Sequence, residues 1–256
     1  MNRFVLALLA AAGLSGAAQA ANYSDLWYNP SEPGYGVNVV QQAENAFVTL
    51  FVYGPNGEPL WLVSPDATVV GYIGAQPQFR GTLYRTRGPE VGGSFDPRQV
   101  QLTPVGTLYL SSTGESNLEV EYNVNNVTVR KQLTRQTFAR PDGAMWYSGN
   151  FKLRMTLPSG TFFGNREYNA DFLFHVNEQG EGVLRVEEAA SGLCEYRGPY
   201  NQSGRYGNFS GTFTCTQGPG GAFDVTQLEM TDSGITGRLS TFGSEIGRGR
   251  FGAVRM

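Results

Sequence analysis

After its first twenty residues the chain carries almost no stretch with the 3.6-residue apolar period of an amphipathic helix, and this narrows its possible folds more than any other feature. Short apolar or alternating runs recur instead, separated by turn dipeptides, which is the pattern of antiparallel sandwiches and barrels. In Asn117–Val124, Leu118, Val120, Tyr122 and Val124 share one face, while Asn117, Glu119, Glu121 and Asn123 share the other. That alternation describes a half-buried strand. Val37–Gln42 and Phe47–Tyr53 form a first pair, and Pro55-Asn56-Gly57 turns the chain into Leu60–Val63. Phe79–Arg85, Val105–Ser111 and Val127–Phe138 continue the series. Phe47–Tyr53 and Leu60–Val63 are apolar on both faces, as expected of a packed core.

Arg140-Pro141-Asp142-Gly143 interrupts the strands and marks a domain boundary, giving an N-terminal β domain over 21–140 and a C-terminal one over 141–256. In the second, strands are expected at Tyr168–Val176, Gly182–Glu188, Leu193–Tyr200, Phe209–Thr216, Phe223–Thr231, Ile235–Phe242 and Gly249–Val254. Each half offers about seven or eight strands, a number suited to a small barrel or a sandwich. Periodicity does not choose between those two. The expected fold class is therefore all-β, two antiparallel domains following a cleaved signal peptide.

The signal is read over residues 1–20. Arg3 supplies the positive start, Phe4–Ala12 an uncharged apolar run, and Ala18-Gln19-Ala20 the small residues a signal peptidase needs. The apolar run is shorter than the roughly 20 residues of a spanning helix. The mature chain accordingly begins at Ala21, has no transmembrane segment, and is secreted or periplasmic. In that oxidising setting Cys194 and Cys215, the only cysteines, read as one structural disulfide between strand-like segments. A transmembrane β-barrel is the weaker alternative, because several strands fall short of the ten or so residues such strands need.

Net charge is −3, which argues against nucleic acid as a partner, since phosphates demand a basic face. No phosphate loop, dinucleotide fingerprint, zinc motif or calcium loop is present, so no cofactor and no metal are expected. His175, the sole histidine, sits among bulky apolar residues and has no serine in a nucleophile-elbow context to serve. Glu187 and Glu188 are adjacent and point to opposite faces of a strand, while Glu119 and Glu121 share a solvated face. Neither pair suits glycoside hydrolysis. No catalytic residue is assigned.

An ordered set of motifs from Asp25 to Phe138 resembles a β-rich repeat of secreted proteobacterial proteins. Its elements here are Asp25-Leu26-Trp27-Tyr28-Asn29-Pro30, Glu32-Pro33-Gly34-Tyr35-Gly36-Val37-Asn38, Gly57-Glu58-Pro59-Leu60-Trp61-Leu62-Val63, Gly81-Thr82-Leu83-Tyr84-Arg85, Phe95-Asp96-Pro97 and Thr134-Arg135-Gln136-Thr137-Phe138. Copies of that repeat carry tryptophan where this chain has Tyr28 and Tyr35. The resemblance implies a secreted accessory or stand-alone module and carries over no activity or catalytic residue.

Aromatic residues in loops and strand starts are the remaining chemical signal. Trp27, Tyr28, Tyr35, Trp146 and Tyr147 are the candidate ligand contacts, because aromatic faces on a rigid β frame stack on sugar rings or grip peptides. The Pro- and Gly-punctuated segment around Trp27 and Tyr35 is expected to run over the surface or across a barrel mouth. The competing role is structural, with Trp61 and Tyr84 filling cores and Trp27 plugging an open end. The expected function is an exported non-enzymatic binding or interaction module for a protein, peptide or glycan. Alternatives are an inhibitor or accessory partner of a secreted hydrolase, or an enzyme whose site no motif reveals. The intact mass of the exported protein should match a chain beginning at Ala21 with both cysteines oxidised; a mass retaining residues 1–20 would refute the cleavage site.

Overall fold

The structure, a computed structural model, describes residues 22–256 apart from 91, 113, 142 and 189–191. The signal segment read at residues 1–20 lies outside the described residues. Sixteen strands form two closed antiparallel barrels of eight. The first contains β1 (Asp25–Tyr28), β2 (Gly36–Gln42), β3 (Asn45–Tyr53), β4 (Pro59–Ile73), β5 (Gln76–Arg87), β6 (Gln101–Ser111), β7 (Asn117–Val124) and β8 (Val127–Arg135). The second contains β9 (Met145–Thr156), β10 (Phe162–Val176), β11 (Glu181–Glu188), β12 (Gly192–Ser203), β13 (Tyr206–Cys215), β14 (Gly221–Thr231), β15 (Gly234–Phe242) and β16 (Ile246–Arg255). Residues 136–144 join them. Closure rests on two strands that were not anticipated: β1 pairs with both β2 and β8, and β9 with both β10 and β16. The segment around Trp27, expected to run over the surface or across a barrel mouth, is a ladder strand over Asp25–Tyr28.

Each barrel has its own core, as the inward half of every strand alternation requires. The first is largely aliphatic, built from residues such as Val37, Val48, Leu50, Leu62, Leu83, Leu108 and Leu133, with Tyr23, Trp27 and Phe79 at one end. Its β7–β8 turn places Asn125 and Asn126 at φ 50° and 66°, the left-handed pair that a two-residue hairpin favours and asparagine tolerates. The second core is aromatic. Phe151 lies parallel to Tyr168 at 5.1 Å and to Phe251 at 5.0 Å, and edge-on to Phe172. These rings fit because glycine faces them: a Cβ on Gly237 would come within 2.7 Å of the Phe251 ring. Cys194 and Cys215 are directly opposed across β12 and β13 and are joined as a disulfide. Closing a loop of 21 residues contributes about 3 kcal/mol in the chain-entropy account.

The barrels meet at Arg135, the last residue of β8. Its side chain is fully buried and points inward, where the guanidinium lies 4.2 Å from the Trp27 ring and 5.0 Å from the Tyr206 ring of the second barrel. Nη1 donates to Asp25 Oδ2 at 3.0 Å, Nη2 to the Asn22 carbonyl at 2.7 Å and Nε to the Glu115 carbonyl at 2.8 Å. Burial lowers the guanidinium pKa, and the Asp25 carboxylate opposes that shift. Asp25 Oδ2 also accepts from the Arg205 amide, while the Gly204 amide donates to Thr137 Oγ1 at 3.0 Å. Gly204 is needed there: it has φ 59°, and a Cβ would meet Arg135 Cβ at 2.7 Å. A bulge in β14 holds buried Gln227 at φ 51° and aims its amide at Glu115 Oε1, 2.6 Å away.

Replacing Arg135 leaves Asp25 buried without its counter-charge. Arg135→Met is expected to cost about 3–5 kcal/mol in urea unfolding, and adding Asp25→Asn should return a substantial part of the loss. Equal stability of the single variant and the parent would show that the pair holds nothing together.

Candidate functional site

The five aromatic candidates separate into three environments. Trp27 and Tyr147 are fully buried, which removes both from contact with an external ligand. Trp27 closes the Arg135 end of the first barrel: its indole Nε1 donates to the Tyr23 carbonyl at 2.9 Å, and its ring meets Tyr23 edge-on. Tyr23 shares that plug, its hydroxyl donating to the Pro77 carbonyl at 3.1 Å, and burial pushes its pKa up to about 12. Tyr147 is stacked on Phe172 at 5.5 Å in the second core. The structural role therefore holds for both residues, because alternation along β1 and β9 turns them inward.

Tyr35 and Tyr28 belong to the opposite rim of the first barrel. Tyr35 points inward and packs against the core, with its hydroxyl buried beside that of Tyr122. Burial raises its pKa, so this phenol stays protonated at neutral pH. Lys131 Nζ lies 5.7 Å from the Tyr35 ring and pairs with Glu32, which also accepts from Asn29 Nδ2 at 2.9 Å. These contacts pin the turn at residues 29–35 over the rim. Tyr28 is half-buried on the outer face of β1. Trp146 stands on the outer face of β9, 51% exposed.

Trp61 and Tyr84, expected in the core, are corrected by the barrel geometry. Leu62 and Leu83 take the inward positions, so their neighbours face out. Tyr84 is half-buried there, and Trp61 is 57% exposed. Beside Trp61, β3 presents Phe51 at 44% and Tyr53 at 58% exposure, with Phe51 directly opposite Trp61 and Tyr53 opposite Pro59. The three rings line an open apolar trough with Gly34 and Leu60 next to the β3–β4 turn. Gly34 has φ 97°, and a Cβ there would sit 2.7 Å from the Tyr53 hydroxyl, so the rim turn and the trough are in close register. The double apolar faces of Phe47–Tyr53 and Leu60–Val63 thus mark an exposed platform rather than a two-sided core.

Convergent catalytic groups do not appear at the positions weighed for chemistry. Glu119 and Glu121 are engaged by Arg130 on the outer face. His175 faces outward from β10, with Asp171 four residues back, on the order of 13 Å along a strand. Among the described residues, no three His, Cys, Asp or Glu side chains converge to hold a metal. Comparison with family models and with curated proteins finds no match to this chain.

The two outer and inner tryptophans should behave oppositely. Trp27→Ala is expected to cost about 3–5 kcal/mol as a buried aromatic truncation, and Trp146→Ala to stay within about 0.5 kcal/mol. Chemical denaturation of both variants checks this, and a mild Trp27 variant would refute the plug.

Proposed function

We propose that the protein is an exported, non-enzymatic binding module and that its ligand is a glycan chain held on the platform of Phe51, Tyr53 and Trp61. The observation that carries the reading is their exposure. Three large aromatic side chains stand outward on two adjacent strands of a fully packed barrel, where they contribute nothing to its interior. Strand backbones hold them in fixed register, so little conformational entropy remains to be lost on binding. Flat rings with a rim of polar groups suit the apolar faces and hydroxyls of sugar rings. The adjoining turn carries exposed Asn56 and Glu58. The motif set read in the first half of the chain includes Trp61 itself, consistent with a secreted module of this kind.

The outer faces elsewhere favour water over lipid. Arg130 pairs with Glu121 on the first barrel, and Arg185, Glu195 and Arg197 form a chain of ion pairs on the second. A charge on a lipid-facing strand costs about 2–4 kcal/mol at the bilayer midplane. No helix among the described residues is long and apolar enough to cross a membrane.

Retention of the mature protein on insoluble cellulose, chitin and peptidoglycan tests the reading. One of the three should retain it, and Trp61→Ala and Tyr53→Ala should each weaken retention by about 1–2 kcal/mol, roughly ten-fold, with melting nearly unchanged. Retention on none of them, or retention indifferent to both substitutions, would refute the glycan platform.

A further inference from the structure

A second recess lies at the other end of the first barrel, where the joining segment passes between the barrels. It is a cleft of about 350 Å³, roomy enough for a small organic molecule. Three arginines reach it from three separate segments: Arg140 from the joining segment, Arg205 from the β12–β13 turn and Arg255 from the end of β16. Met145 and Met230 give it an apolar wall of adaptable side chains. Phe138, 76% exposed, stands among its lining residues.

The charges in this cleft are unevenly spent. Asp25, at its base, is taken by Arg135 and by the Arg205 amide. Arg205 donates from Nη2 to the Tyr206 hydroxyl at 2.7 Å and lies 3.5 Å from Glu229, but its Nε is buried and makes no hydrogen bond among the described residues. Asp232 is the one further carboxylate among the lining residues.

Guanidinium groups match carboxylates in geometry as well as charge. The opposing acidic side chains and the apolar wall make the cleft a poor seat for a polyanion. We propose that this inter-barrel cleft binds a small organic acid, with its carboxylate held by Arg205, Arg140 and Arg255 and its apolar body laid against Met145 and Met230. Asp25 is its one lining residue from the first barrel, and the proposed contacts come from the joining segment and the second barrel. This site is separate from the aromatic platform and stands or falls independently of it.

Calorimetric titration of the mature protein with decanoate, below its micelle concentration, and with decanol as the uncharged control tests the assignment. Decanoate should saturate at one molecule per chain and bind roughly ten-fold tighter than decanol, the difference a charge-assisted pairing supplies. Arg205→Gln should weaken decanoate most. Arg205 also contacts Tyr206 and Glu229, so the double variant Arg140→Gln with Arg255→Gln serves as a second probe that leaves the barrel contacts in place, and it too should weaken the acid selectively. Trp61→Ala should bind decanoate as the parent does. Equal binding of acid and alcohol, absence of saturable binding, or unchanged decanoate affinity in the double variant would overturn the proposal.

Discussion

Burying the guanidinium of Arg135 imposes more conditions on this molecule than any other contact. A charge without water must be met by hydrogen bonds and a counter-charge, and those come from parts of the chain far apart in sequence. Asn22, Ser24 and Asp25 supply them from the start of the described chain, and Glu115 from the β6–β7 turn. Above and below, Trp27 and Tyr206 exclude solvent with their ring faces, which attract the cation. The first barrel's plug is therefore completed by a residue of the second. The order of the N-terminal segment, the seating of Trp27 and the docking of the β12–β13 turn all depend on one side chain at the end of β8.

The two cores nonetheless share no residue, and the inter-barrel contacts of Arg135, Gly204 and Gln227 are polar or cation–ring contacts. Hydrogen bonds and ring faces impose geometry, whereas apolar burial is tolerant of it. Gly204 cannot accept a Cβ, and Gln227 must sit in a bulge at positive φ to reach Glu115. Such demands specify one relative placement of the two barrels, and they shape the cleft beside them.

Most of the strand pattern was legible because one face of each strand is packed and the other wet. The alternation over Asn117–Val124 became β7 over the same residues. What escaped were the two closing strands. At four residues, β1 is too short to display a period. In β9, Tyr147, Phe151, Leu153 and Met155 alternate with Ser148, Asn150, Lys152 and Arg154, a readable signal interrupted by Gly149 at an inward position. A Cβ at Gly149 would collide with Ala253 of β16, so the close approach that closes the barrel is also what hides the strand. Without those strands, barrel and sandwich look alike.

The same gap explains the misplaced aromatics. In a sandwich a strand apolar on both faces is a contradiction unless a further layer covers it, and the natural inference is a core. A closed barrel has only one inside. Once β1 joins β8 to β2, one face of Phe47–Tyr53 must look outward, and the described residues leave Phe51, Tyr53 and Trp61 exposed. Their chemical type was visible in the sequence, but their direction follows from closure, a long-range fact that local periodicity does not encode. The inter-barrel cleft was invisible for the same reason, since Arg140, Arg205 and Arg255 have no common spacing and meet only when both barrels have closed and docked. Surfaces made by closure are where this chain departs from its local pattern, and an aromatic or arginine spent on such a surface rather than on a core requires an explanation outside the fold itself.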